Sequence, residues 1–137
     1  MAIAYTGGCQ CGAIRYEVTG AARQIVACHC TDCQRQSGSA FGMTMVVAEE
    51  DFRITQGKEK TVAFGSDSGR QKVGGFCPEC GSRIYATTEW RPGMIAVKPG
   101  TLDETGSLQP QIHLWTRNKQ GWVVIPDGVE VYETQPP

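Results

Sequence analysis

The seven cysteines of the chain fall into three groups whose spacing is typical of metal ligands. The first group reads CQC, the second CHCTDC and the third CPEC. In order along the chain, the members are Cys9 and Cys11, then Cys28, Cys30 and Cys33, then Cys77 and Cys80. Thiolate sulfurs bind zinc tightly, and two cysteines separated by two residues can face the same ion. The sequence therefore predicts zinc binding.

The first and third groups together make a complete structural zinc site. Such a site needs four protein ligands, of which CPEC supplies two, and CQC is the only other pair. The predicted tetrahedral set is Cys9, Cys11, Cys77 and Cys80. Gly81 follows the CPEC segment and would permit a tight turn that brings backbone N–H groups toward the sulfurs. An alternative partition joins CPEC to two central cysteines, but it leaves CQC without a role.

The central group, Cys28, Cys30 and Cys33, then supplies three ligands for a second ion. Three protein ligands with an open fourth position are the mark of a catalytic zinc site. The structural alternative is that His29, Asp32 or His113 closes this site with a fourth ligand. His29 is the weaker candidate of the three, because an extended segment would point its side chain away from both neighbouring cysteines.

Composition excludes several classes of protein. The 13 Lys and Arg against 14 Asp and Glu give a net charge of -1, so there is no electrostatic basis for binding nucleic acid or an anionic membrane. We expect no nucleic-acid or membrane partner. We find neither a signal peptide nor a membrane span, so we expect a cytoplasmic protein whose thiols stay reduced. The 137 residues suit a single domain covering residues 1–137.

The elements that must position these cysteines are predicted to be mostly short strands, separated by turns rich in Gly and Pro. Nine strands are predicted, at Ala13–Thr19, Gln24–Ala27, Met43–Ala48, Phe52–Thr55, Thr61–Phe64, Gln71–Phe76, Arg83–Ala86, Met94–Val97 and Val129–Glu133. One short helix is predicted at Thr31–Ser37, with Thr31 or Asp32 as its cap and Gly38 at its end. His113 and Trp115 are two residues apart and would share one face of a further strand. The central cysteines would then lie where a strand runs into a helix.

The chain resembles the glutathione-dependent formaldehyde-activating enzymes, a family grouped with centromere protein V. The resemblance lies in six ordered segments, which read GGCQCGAIRYEV, ACHCTDCQRQSGSAFG, FCPECGSRIY, KPGTLD, HLWTRNK and IPDGVEVYE. It implies a mainly β fold of antiparallel sheets in a tent-like, zinc-binding arrangement with one short helix. It also implies two zinc ions, of which one is structural and held by the first and third groups. The other is catalytic or labile and is held by Cys28, Cys30 and Cys33.

The activity that this resemblance implies is condensation of glutathione with formaldehyde to S-hydroxymethylglutathione, formally the reverse of a carbon–sulfur lyase reaction. The partners would be a small-molecule thiol, with glutathione suspected, and an aldehyde. Arg35, Arg53 and Arg83 are candidate clamps for the carboxylates of glutathione. The alternative is a zinc-stabilised protein-binding module with two structural metals and no catalysis. The missing fourth ligand of the central group favours the enzyme, and the sequence leaves the oligomeric state open.

Overall fold

The computed structural model describes residues 2–65, 71–89 and 91–136 and shows a mainly β protein. The strands are β1 Tyr5–Gly8, β2 Arg15–Val18, β3 Gln24–Cys28, β4 Gly42–Ala48, β5 Phe52–Gln56, β6 Lys60–Gly65, β7 Gln71–Phe76, β8 Arg83–Thr88, β9 Met94–Val97, β10 Ile112–Leu114 and β11 Glu130–Val131. The helix α1 covers Thr31–Ser37, and short 3₁₀ turns occur at Glu49–Asp51, Pro99–Thr101 and Thr116–Asn118. The predicted mainly β fold with one short helix is confirmed.

The described residues form two compact units. The first contains Met1–Arg23 and Met45–Ser107, and the second contains Gln24–Thr44 and Leu108–Pro137. The expectation of a single domain over residues 1–137 remains a prediction. In the described ranges, no helix is long and apolar enough to cross a lipid bilayer.

The first unit is built from antiparallel strands. Strands β1, β2 and β5 form one three-stranded sheet, and β2 alternates buried and half-exposed residues as a strand with one covered face should. In the same unit, β6, β7, β8 and β9 pair in sequence order, and β9 pairs with residues 45–48 of β4. These four residues of β4 are all buried, which explains their uninterrupted apolar sequence. The core of the unit also includes Ile14, Tyr16, Val18, Ile84, Ile95, Val97 and Leu102.

The second unit contains a small parallel arrangement, which the expectation of antiparallel sheets did not include. Strand β10 pairs in parallel with β3 on one side and with β11 on the other. Its register places His113 opposite Ala27 and Leu114 opposite Cys28. Helix α1 follows β3 directly, as the sequence predicted, so the central cysteines lie at a junction between a strand and a helix.

Two local predictions for this unit were wrong. The residue that caps α1 is Cys30, whose side chain accepts a hydrogen bond from the Cys33 N–H, so neither Thr31 nor Asp32 has this role. Gly38 ends the helix in the left-handed conformation, with φ of 61°, as expected. Trp115 also has a positive φ, of 57°, and lies beyond the end of β10. It therefore does not share a strand face with His113.

Candidate metal centres and active site

The four cysteines of the first and third groups come together in the first unit. Cys9 and Cys11 follow β1, while Cys77 and Cys80 lie in the turn that joins β7 to β8. The four sulfurs all lie within 4.8 Å of one another. Gly81 has a φ of 78° and donates its N–H to the Cys77 carbonyl at 2.8 Å, which closes the turn.

The spacing of these sulfurs fits a tetrahedral zinc ion. A Zn–S bond of about 2.3 Å places neighbouring sulfurs about 3.8 Å apart at the corners of a tetrahedron. The Cys9 and Cys11 sulfurs are 3.6 Å apart, and those of Cys11 and Cys77 are 3.8 Å apart. The Ile14 N–H also donates to the Cys9 sulfur at 3.2 Å, as donors around a thiolate ligand do. The donor set and its geometry therefore suit zinc.

The pKa values of two thiols in this group are shifted in opposite directions. Hydrogen bonds from the side chain and backbone of Ser82 lower the pKa of Cys80 to about 5. At Cys11, a hydrogen bond from the Ala13 backbone favours the thiolate, but the neighbouring Cys9 and burial raise the pKa to about 12. Opposed shifts within one cluster arise because one thiolate makes the next harder to form. A bound dication would remove this conflict.

The three central cysteines come together in the second unit. Cys28 is the last residue of β3, Cys30 caps α1, and Cys33 lies in the first turn of the helix. Their three sulfurs lie within 4.8 Å of one another. The Cys33 N–H donates to the Cys30 sulfur at 3.3 Å, so the helix cap and this cluster share one sulfur. All three residues are partly exposed.

No fourth ligand completes this group among the residues that the structure describes. The cluster contains no ligand atom of His29, Asp32 or His113, the residues that would have closed it as a structural site. Hydrogen bonding with Cys30 and Cys33, together with burial, raises the pKa of Cys28 above its ordinary value. The Cys28 thiol is therefore harder to ionise beside its two neighbours than it would be alone. The donor set suits zinc with one position open to a small molecule.

Glycine at position 42 makes room for one of the central cysteines. A Cβ atom at Gly42 would lie 3.2 Å from the Cβ and 3.6 Å from the sulfur of Cys33. Gly42 is buried at the start of β4, so a side chain there would crowd the Cβ of Cys33 and touch its sulfur. The spacing of the cysteines gave no indication of this contact.

Sequence reasoning also missed how the central loop is held. His29 and His113 form a buried pair in which Nε2 of His29 lies 2.9 Å from Nδ1 of His113. The Gln34 side-chain amide donates to the carbonyls of His29, at 2.8 Å, and Asn118, at 3.0 Å. His29 lies 84 positions from His113, and Gln34 lies 84 positions from Asn118, so no local pattern relates the members of either pair. Only the parallel pairing of β10 with β3 brings His113 beside the CHC segment.

The three candidate clamps for glutathione lie in different surroundings. Arg35 lines an open cavity of about 670 Å³ together with Gln34, Trp122 and other residues of the second unit. Since residues two apart on a helix point about 200° apart, Arg35 and Cys33 project from opposite sides of α1. Arg53 pairs with Glu17 at 3.2 Å, and Arg83 lies over the Phe64 ring at 5.6 Å. These contacts place none of the three arginines beside the sulfurs of the central cysteines.

Comparisons with known proteins agree with the cysteine pattern. A family model described as "Glutathione-dependent formaldehyde-activating enzyme" matches residues 4–118. Two curated fungal proteins, each named "Putative glutathione-dependent formaldehyde-activating enzyme", are similar over 116 residues. They come from Penicillium rubens, at 29% identity, and Colletotrichum graminicola, at 28%. Each alignment covers 78% of this chain and 59% of the relative, so the chain spans about three fifths of their length.

A solved structure has a similar fold. The crystal structure of a Rhodobacter sphaeroides protein matches with a TM-score of 0.60 and 22% sequence identity. The match covers 74% of this chain and 91% of that one. The likeness to this structure concerns the fold alone. The family model spans most of the chain and includes all three cysteine groups. The chain belongs to the family of glutathione-dependent formaldehyde-activating enzymes.

Proposed function

We propose that the chain catalyses the reversible addition of a small thiol, glutathione, to formaldehyde. The thiol sulfur adds to the aldehyde carbon, a carbon–sulfur bond forms, and the thiol proton ends on the former carbonyl oxygen. The product is S-hydroxymethylglutathione, and the reverse direction is a carbon–sulfur lyase reaction. Family membership and the names of the fungal relatives support this choice of substrates. The reducing cytoplasm, where we place the protein, keeps such thiols available.

The observation that carries the proposal is the open group of three cysteines. Cys28, Cys30 and Cys33 would hold a zinc ion with one position left for a ligand from solution. Zinc bound there would favour the ionised form of an incoming thiol, which is otherwise mostly protonated at neutral pH. The four-cysteine group would hold a second zinc ion whose role is to stabilise the fold.

The protein's own residues prepare this site in two ways. The Cys33 N–H donates to the Cys30 sulfur and helps to keep it negative and correctly oriented. Gly42 leaves space beside the Cys33 side chain, whose Cβ a larger residue would crowd. All three cysteines are partly exposed, so a thiol from solution can reach them.

Nuclear magnetic resonance exchange spectroscopy of glutathione mixed with formaldehyde tests the proposal. We expect the zinc-loaded protein to accelerate exchange between free glutathione and S-hydroxymethylglutathione. Cys33→Ser should abolish the acceleration, whereas Gln36→Ala, an exposed change on the same helix, should leave it intact. Unaccelerated exchange with a folded protein that holds both metals would contradict the proposal and favour the binding module with two structural metals.

A further inference from the structure

A buried pair of imidazoles lies beside the central cysteines without joining them. His29 is fully buried and His113 is 5% exposed. Nε2 of His29 lies 2.9 Å from Nδ1 of His113, and the two ring centroids are 5.2 Å apart. On another side, the His29 ring packs against Phe41 with a centroid distance of 5.2 Å. Within the described residues, neither imidazole belongs to a candidate metal cluster, so ligation does not explain the pair.

The pair connects the cysteine loop to β10 through a second, backbone contact. The His29 N–H donates to the Leu114 carbonyl at 2.9 Å, which continues the register that places Leu114 opposite Cys28. His29 is therefore held to β10 by both its backbone and its side chain. Because His29 stands between Cys28 and Cys30, fixing its position restricts the backbone on both sides of it.

The unpartnered nitrogen of His29 indicates which atom donates. Nδ1 of His29 is buried and has no hydrogen-bond partner. A proton on that nitrogen would be a buried donor without an acceptor, which is more costly than a bare lone pair. The favoured arrangement therefore places the His29 proton on Nε2, where it is donated to Nδ1 of His113.

We propose that His113 is a positioning residue for the central metal site, because it accepts the His29 Nε2–H and so fixes the loop that carries Cys28 and Cys30. The inference rests on the proposed function in one respect, which is that the central cysteines bind a metal ion. Loss of the acceptor removes no ligand. It should therefore weaken binding at the central site while the number of ions bound at saturation stays the same.

Two substitutions at His113 separate the hydrogen bond from the packing. Leucine has a similar branched shape but no acceptor, whereas asparagine places its side-chain oxygen where Nδ1 of the histidine was. Cobalt titration in competition with a chelator reports both sites of one chain, because cobalt–thiolate absorption is easily followed. We expect His113→Leu to weaken cobalt binding at the central site by about tenfold, as the loss of outer contacts does at other metal sites. His113→Asn should stay close to the unmodified protein, and the four-cysteine site should not change in either variant.

A second pair of variants decides the matter if His113→Leu does not fold. In His29→Gln the amide N–H reaches the position of Nε2, whereas the shorter side chain of His29→Asn does not. We expect the glutamine variant to keep cobalt affinity at the central site and the asparagine variant to lose it.

Three results would overturn the inference. The first is a folded His113→Leu variant whose central site binds cobalt as tightly as in the unmodified protein. If that variant does not fold, the equivalent result is equal cobalt affinity at the central site of the two His29 variants. The second is a fall in cobalt affinity at both sites that accompanies a fall in melting temperature. That result would mean that the histidine pair only stabilises the fold. If the unmodified protein binds no cobalt at the central site, the proposed function fails together with the inference, and this result is distinguishable from the other two.

Discussion

Loss of a single thiol should affect folding differently in the four-cysteine group and in the central group. The four-cysteine group joins two segments that are far apart in the sequence, since Cys9 and Cys11 follow β1 whereas Cys77 and Cys80 lie between β7 and β8. In the central group, all three thiols come from one short segment of the second unit. A metal ion in the first group would therefore close a long loop, whereas one in the second would constrain only a few residues.

Cys80→Ser should accordingly destabilise the protein strongly, whereas Cys33→Ser should have little effect on stability. We expect Cys80→Ser to be largely unfolded at room temperature, because a structural zinc contributes on the order of 10 kcal/mol to folding in small zinc domains. Cys33→Ser should keep its melting temperature to within a few degrees and lose one zinc ion. Thermal melts and zinc analysis of both variants check this. If Cys80→Ser melts like the parent, the four-cysteine group is not the structural site.

Residue types and spacing were enough to propose both ligand sets, because metal ligands follow strict counting rules. The surroundings of the ligands were not predictable in the same way. The contact of Gly42 with Cys33 and the hydrogen bond between Ser82 and Cys80 depend on local backbone geometry. The partnership of His29 with His113 depends on pairing across 84 positions of sequence, for which a single sequence carries no signal.

At the scale of elements, the junction between β3 and α1 was predicted well. The helix covers Thr31–Ser37 as expected, because Gly38 gives a clear stop signal. Its cap was mistaken, since a cysteine sulfur replaces the oxygen that usually accepts the capping hydrogen bond. Strand β1 was not among the predicted strands, and the further strand expected around His113 ends at Leu114, before Trp115. The sequence YTGG of β1 contains two glycines, and β10 has three residues whose conformation depends on pairing with distant strands.

The close approach of β4 to α1 within the second unit makes Gly42 a sensitive position. We expect Gly42→Ala to weaken metal binding at the central site severalfold, because the new Cβ would press on the Cys33 side chain. Binding at the four-cysteine site should be unaffected. Gly106→Ala is a suitable control, since a Cβ there meets no atom within 4 Å and Gly106 is exposed. Cobalt titration measures both affinities. Equal central-site affinities in the two variants would contradict the described contact.

At the scale of the whole molecule, the mainly β class was predictable because short apolar segments alternate with Gly and Pro signals along the chain. The division into two compact units was not, since it depends on which segments contact one another. Each unit contains one of the two cysteine groups. The two proposed metal sites, one that stabilises the fold and one that takes part in the reaction, thus lie in different units.

The whole protein should distinguish glutathione from its S-methyl derivative. S-methylglutathione keeps both carboxylates and the amine but has no ionisable thiol, so we expect it to bind at least about tenfold more weakly, or roughly 1.4 kcal/mol. Glutathione binding should strengthen as the pH rises toward the thiol pKa of about 8.5 and should release a proton. Calorimetry in two buffers of different ionisation enthalpy measures both effects. Equal affinities without proton release would exclude binding through the thiolate.

The most direct test of two sites with different roles is the order in which zinc leaves the protein. The zinc-loaded chain should be titrated with a chelator while native mass spectrometry counts the bound ions and the melting temperature is followed. We predict two ions, of which the first leaves from the open central site with almost no change in melting temperature. The second should leave only as the protein unfolds. A single ion, simultaneous loss of both, or a large fall in melting temperature with the first loss would contradict the account.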